Sequence, residues 1–220
     1  MVNPISPTHF ITSIGTDIGK SYVMEQLIRA YRTQRGEAVM GLKPILSGYD
    51  GIETAVDSDT GRIISALGLP LNQEMVDRVT PWRFKEPLSP DMAARRANTP
   101  LKFEPVIDYC RKIQCEGYDR VLIEGVGGVM VPLNDHCRVI DWIEALNCDI
   151  VLVASNYLGA MSHTFTAYEA LKSRGLEVSS VIVSEYAGEA IDMEETCQSL
   201  SHYIPADIIQ PLYRNGSLVV

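Results

Sequence analysis

Residues 150 to 154 read Ile-Val-Leu-Val-Ala, an apolar run with no polar break. A strand with one wet face alternates apolar and polar residues. An unbroken run therefore predicts a strand buried on both faces, as in a parallel sheet covered by helices. The flanking pattern agrees. Met161 to Ser173 has helical character, Gly175 ends it, and Val178 to Val183 reads as another buried strand. Upstream, Phe10 to Ile14, Ala38 to Leu42 and Arg120 to Ile123 are further strands. Helical patterns cover Ser21 to Arg35, Thr60 to Leu67, Pro90 to Arg96, Phe103 to Cys115 and Ile140 to Leu146. Val23, Leu27, Ile28 and Tyr31 give the first helix an apolar face, and Gly36 closes it. Leu46 to Asp57, rich in Gly and Asp, reads as loop. This alternation predicts an α/β fold with a mainly parallel sheet and helices on both faces. Ligands of such sheets bind beyond the C-terminal ends of the strands.

The chain has 220 residues, so one domain spanning 1–220 is expected, with residues 1–8 as a short N-terminal tail. Its net charge of −9 argues against nucleic acid or an anionic membrane as partner. A phosphate-bearing ligand would need the few basic residues gathered in one site. No apolar run has the length of a membrane span, and the N-terminus lacks a secretory pattern. The five cysteines form no CxxC pair and have no histidine at metal-finger spacing. They read as reduced packing residues of a cytoplasmic protein.

Five segments that follow predicted strands carry possible chemistry. Gly15-Thr16-Asp17-Ile18-Gly19-Lys20-Ser21 joins a strand to a helix, the context of a phosphate loop. Its glycines turn backbone N–H groups toward an anion, and the helix start adds a positive dipole end. Lys20 would reach the β- and γ-phosphates, and the Ser21 hydroxyl would ligate Mg²⁺. An ordinary turn is the alternative, because only three residues separate Gly15 from Gly19-Lys20-Ser21, where the strict pattern has four. Lys43 at a strand end can meet phosphate or carboxylate, or remain a solvated lysine. Asp57 and Asp59 can hold Mg²⁺ or cap a helix. Glu124 precedes Gly125, Val126, Gly127 and Gly128, which aims a carboxylate into the cleft and lets backbone approach a ligand. Gly159-Ala160-Met161-Ser162 opens another helix, whose free N–H groups could take a carboxylate. Ser162 as a plain N-cap and His163 as a packed helix residue are the alternatives there.

In this order the segments resemble dethiobiotin synthetases, ATP-dependent P-loop ligases. The matching pieces are the glycine loop, KPILSG from Lys43, Asp59, RFKEPLSP from Arg83, EGVGGVMVPL from Glu124, Asp141-Trp142 and LGAMSHT from Leu158. The resemblance spans about residues 10 to 185. It implies a P-loop NTPase-like fold and a reaction that joins 7,8-diaminononanoate, CO₂ and ATP into dethiobiotin, ADP and phosphate. By matched position, Lys20 and Lys43 would neutralise phosphate and carbamate charge as the catalytic residues. Gly15 to Ser21, Asp59, Glu124 to Gly127, Ser184 and Glu185 would bind the nucleotide. Ser21, Asp59 and Glu124 would hold Mg²⁺. Ser47 would hydrogen-bond the substrate, and Gly159 to Ser162 would take its carboxylate at a homodimer interface. Both lysines are expected to face the cleft, so their removal should leave folding little changed.

The chain departs from the family's usual pattern at several of these places. The glycine loop is two residues shorter than GTDTxVGKT. Ser184-Glu185 stands where an Asn usually reads adenine. Asp91 replaces a His, Ser162 replaces an Asn, and Ile209-Gln210-Pro211-Leu212 replaces a GxIP-type segment. Two alternatives follow: a related P-loop amide ligase with another substrate, or a nucleotide-binding paralogue with poor turnover. ADP release with and without diaminononanoate separates them.

Overall fold

The computed structural model of the protein describes residues 7–188 and 190–220. The strands are β1 (Thr8–Ser13), β2 (Val39–Leu42), β3 (Ile45–Ser47), β4 (Trp82–Phe84), β5 (Arg120–Glu124), β6 (Asp149–Ser155), β7 (Val178–Ser184) and β8 (Ile209–Leu212). The helices are α1 (Lys20–Gln34), α2 (Asp59–Ala66), α3 (Gln73–Val79), α4 (Pro90–Arg96), α5 (Phe103–Gln114), α6 (Val139–Leu146), α7 (Ala160–Lys172) and α8 (Met193–Ser201).

Six strands form one parallel sheet in the order β2-β5-β1-β6-β7-β8. Successive residues of β5 and β6 point to opposite faces, yet nearly all are buried, so helices cover both sides. Phe10 and Trp142 meet edge to face at 4.9 Å inside this core. Because every strand runs the same way, Ser13, Leu42, Glu124, Ser155, Ser184 and Leu212 end along one edge of the sheet. The loops leaving that edge carry the polar motifs.

Several sequence expectations need correction. Thr8, expected in the N-terminal tail, pairs with Val121 as the start of β1; residues 1–6 lie outside the described residues. Leu46 to Asp57 is not all loop. Ile45–Ser47 pairs with Trp82–Phe84 as a small parallel sheet, and Ile52–Asp57 forms 3-10 turns. The short α3 and β4, together with α8 and β8, were not foreseen. Strands of three residues hold too little periodicity to be read. Pro211 sits in β8, which is an edge strand where a missing N–H is tolerated. No helix among the described residues is long and apolar enough to cross a membrane.

Candidate active site

The site begins where β1 ends. Asp17 (φ 58°) and Gly19 (φ 97°) both adopt left-handed backbone, which folds the loop back over the start of α1. Behind it, a Cβ on Gly128 would lie 3.2 Å from the backbone N of Gly15, so the second glycine segment packs directly on the first. Lys20, the first residue of α1, is buried and donates from Nζ to Ser13 Oγ (3.0 Å) and to the Gly15 carbonyl (3.1 Å). Burial and the nearby Lys43 ammonium pull its pKa down to about 8.

Next to it, the Ser21 hydroxyl lies 2.5 Å from Asp59 Oδ1 and 2.9 Å from Glu124 Oε1. Asp59 reaches this point as the first residue of α2, whose N-cap is Ser58. Lys43 follows β2 and donates from Nζ to Glu124 Oε1 and the Gly125 carbonyl, both at 2.8 Å. It also pairs with Asp59 Oδ2 at 3.3 Å. Burial alone would lower the Lys43 pKa, but Glu124 and Asp59 outweigh it and hold the ammonium above its ordinary range. Burial raises the Glu124 carboxyl, with Lys43 only partly offsetting it. Burial works on Asp59 in the same direction, but Lys43 and the Ser21 hydrogen bond bring it below the usual carboxylate range. Two buried oxygens around this cluster, Glu124 Oε2 and Ser47 Oγ, have no partner. The cluster lines a cavity of about 700 Å³ together with Thr16 to Gly19, Ser47, Asp57 and Pro87 to Pro90.

A second cavity of about 230 Å³ continues along the outside of the loop, past Tyr22 and Arg62, to Ser155, Ser184, Glu185, Tyr186 and Arg214. Ser184 is packed against the loop: a Cβ on Gly19 would lie 2.6 Å from its Oγ. A longer side chain at 184 would collide with the loop as it stands, so the short loop and the small residue belong together. Glu185 Oε2 accepts from the backbone N of Arg214 at 2.9 Å. The Tyr22 hydroxyl meets the Arg214 carbonyl at 2.8 Å, which ties the C-terminal segment to α1.

A family model described as an AAA domain matches residues 7–215. The chain is 40% identical over 198 residues to the ATP-dependent dethiobiotin synthetase BioD of Acidiphilium cryptum (strain JF-5), covering 90% of this chain and 88% of that one. It is 37% identical over 200 residues to the protein of the same name from Methylobacterium nodulans, covering 89% and 88%. The chain belongs to the dethiobiotin synthetase family. Among solved structures it is similar to the septum site-determining protein MinD of Pyrococcus horikoshii OT3 complexed with Mg-ADP (TM-score 0.56, 18% identity, 94% and 81% covered). It is also similar to a ParA family ATPase from Chlorobium tepidum TLS (TM-score 0.57, 15% identity, 96% and 86% covered). At such identities the likeness is one of fold, and the fold is that of P-loop NTPases.

The residues expected to act together are brought together to differing degrees. Thr16 to Ser21, Lys43, Ser47, Asp59, Glu124, Val126 and Gly127 line the first cavity. Gly15 and Gly125 do not line it and instead give their carbonyls to Lys20 and Lys43. Asp59 rather than Asp57 touches Ser21 and Lys43. Ser184 and Glu185 line the second cavity. Gly159 to Ser162 line neither cavity. The N-cap of α7 is Gly159, not Ser162, and no side chain caps the helix. His163 is exposed rather than packed, with Nδ1 2.7 Å from the Tyr157 hydroxyl. Sequence reasoning missed Arg62, Tyr22, Tyr186 and Arg214. Arg62 had one signal, a position three residues beyond Asp59 on a predicted helix; the others had none.

No group of three or more His, Cys, Asp or Glu side chains able to hold a metal occurs among the described residues. The Ser21, Asp59 and Glu124 set still fits a hard cation that keeps waters and shares phosphate oxygens. All its donors are oxygens, and Glu124 Oε2 is buried without a partner.

Proposed function

We propose that this chain catalyses the ATP-dependent carboxylation and ring closure of 7,8-diaminononanoate with CO₂, giving dethiobiotin, ADP and phosphate. One substrate amine adds to CO₂ and loses a proton to become a carbamate. A carbamate oxygen displaces ADP from the γ-phosphorus. The second amine attacks the carbamate carbon, and phosphate leaves as the cyclic urea closes.

The carrying observation is that two buried ammonium groups meet at one cavity, Lys20 and Lys43, in a chain of net charge −9. Lys20 rests on two neutral oxygens rather than on a carboxylate, and burial with the nearby Lys43 ammonium lowers its pKa. A phosphate oxygen at that point supplies the missing charge. Of the Lys43 contacts, Asp59 at 3.3 Å is the longest and is the one a carbamate oxygen would replace. The Ser47 hydroxyl, buried and unpaired, donates to the carbamate or accepts from an amine. Catalysis of this kind rests on positioning and fixed charge, which suits a site without a nucleophile. Ser21, Asp59 and Glu124 would hold Mg²⁺, which when bound neutralises β- and γ-phosphate charge. The loop from Thr16 to Ser21, with Glu124, Val126 and Gly127, cradles the phosphates, while Ser184 and Glu185 face the base.

The start of α7 lies outside its own chain's cavity. We assign Gly159 to Ser162 to the substrate carboxylate of a second copy, within a cytoplasmic homodimer. The deciding experiment measures ADP release with ATP, bicarbonate and Mg²⁺, with and without diaminononanoate. Release that depends on the diamine is expected. Release that is equal without it would point to a different acceptor or to plain hydrolysis.

A further inference from the structure

Arginines in this protein are almost all spoken for. Arg29, Arg78, Arg83, Arg95, Arg96, Arg120, Arg138 and Arg174 pair with carboxylates, Arg32 and Arg111 with backbone carbonyls, and Arg35 with the ring of Tyr31. Among the described residues, only the guanidinium groups of Arg62 and Arg214 have no partner. Both line the second cavity.

Arg62 has a further property. The two cavities share Asp17, Ile18, Gly19, Tyr22 and Arg62 as lining residues. A nucleotide with its terminal phosphate at Lys20 and Ser21 and its base at Ser184 to Tyr186 must cross this shared stretch. The part of it that crosses is the α-phosphate, with the β-phosphate beside it. On the loop side this stretch offers backbone N–H groups but no cation. Only Thr16, Asp17 and Ile18 separate Gly15 from Gly19, and Asp17 adds a carboxylate that repels phosphate. Arg62 is the sole cation among the shared residues. It stands on α2 three residues after Asp59, so both project from neighbouring positions of one helix face. Asp59 already touches Ser21 of the loop, which brings that face against the phosphate site.

We propose that Arg62 is a nucleotide-positioning residue that binds the α- and β-phosphates from across the cleft, supplying there the cation that the short loop lacks. The proposal rests on the nucleotide reading of the site given above. A guanidinium suits the task because its planar fork can hold two phosphate oxygens at once.

The test uses full-chain protein with Arg62→Ala, Arg62→Gln and Arg62→Lys. Binding of ADP and of adenosine is measured by calorimetry, and steady-state kinetics are run with ATP. In Arg62→Ala and Arg62→Gln, ADP affinity should fall by about tenfold or more, and KM for ATP should rise in step. Adenosine affinity should stay within about twofold, because the base is not touched. Arg62→Lys should recover part of the loss as a point charge. ADP affinity within about twofold of the wild type in Arg62→Ala would overturn the proposal. So would an equal loss for adenosine. Wild-type protein that binds no ADP would overturn the nucleotide reading itself, a result distinct from all of these.

Discussion

Strand β5 has a charged residue at each end, and the two ends live under opposite rules. At the N-terminal end, Arg120 is matched on every side. It holds Glu37 through two bonds of 2.6 and 3.0 Å, lies 4.0 Å from the centre of the Tyr31 ring, and approaches His9 Nδ1 at 3.4 Å. That hydrogen bonding holds Glu37 below the usual carboxylate range, more than offsetting burial. At the C-terminal end, Glu124 is fully buried, shares Lys43 with a second carboxylate, and leaves one oxygen unpaired. Buried polar groups are normally satisfied, and a satisfied cluster stiffens the fold. A buried cluster left short of partners costs stability and is kept where a ligand completes it. One end of the strand is thus scaffold and the other belongs to the candidate site.

The largest contrast should be in turnover. Lys20→Ala and Lys43→Ala should each lower kcat by ~10²-fold or more, whereas Arg120→Ala should stay within about threefold. Equal losses in an ADP-release assay would erase the distinction between the two ends. The second contrast is in stability, where the burial of Lys43 argues against the expectation that its removal leaves folding little changed. Lys43 is only 3% exposed and is the counter-ion of a buried carboxylate. Breaking such a pair from one side should destabilise by about 3–5 kcal/mol, measurable as a lower urea midpoint for Lys43→Ala. An unchanged midpoint would mean that Glu124 takes up a proton without cost. Arg120→Ala should cost less, about 1–2 kcal/mol, because its pair with Glu37 keeps some contact with water. A loss larger than that of Lys43→Ala would invert the comparison.

The smallest effect is a pH dependence at the scaffold end. Burial and the Arg120 charge put the His9 pKa below its ordinary 6.5, against the opposing pull of Asp149 and Glu37. The unfolded chain therefore takes up this proton more readily than the folded one. The His9 contribution is full above about pH 6.5 and is lost as the pH falls through the folded pKa. Urea midpoints should decline over that window, and less steeply in His9→Gln. An identical decline in both proteins would place the titrating group elsewhere.

Most of the site was legible because its residues sit where sequence speaks most plainly. Lys20 and Ser21 follow a glycine loop, Lys43 and Glu124 follow buried strands, and Asp59 starts a helix. A parallel sheet sends all such positions to one edge, so recognising the sheet nearly locates the cleft. What stayed hidden depends on packing between distant segments. Nothing local to Ser184 says that Gly19 presses on it, and nothing local to Arg214 says that Tyr22 and Glu185 hold its backbone. Ile45–Ser47 and Trp82–Phe84 are too brief to betray a strand, and they become one by pairing with each other. Gly159 to Ser162 read as a helix start and do open α7, but nothing local to them says that they line neither cavity.

The strand order also sets when the site can exist during folding. β1 sits between β5 and β6, so its two neighbours arrive from far along the chain. Glu124 meets Lys43 across 81 residues and Ser21 across 103. Phe10 meets Ile123 across a comparable stretch of chain, so the cost of desolvating charge, rather than loop length, orders the two events. The apolar centre of β5 can dock on β1 before the charges at its end lose water. Glu124 and Lys43 should therefore have φ-values near zero, with Leu122 and Phe10 well above them. Substitutions in the charged cluster would then mainly change the unfolding rate, leaving the speed of folding to the hydrophobic strands beneath it.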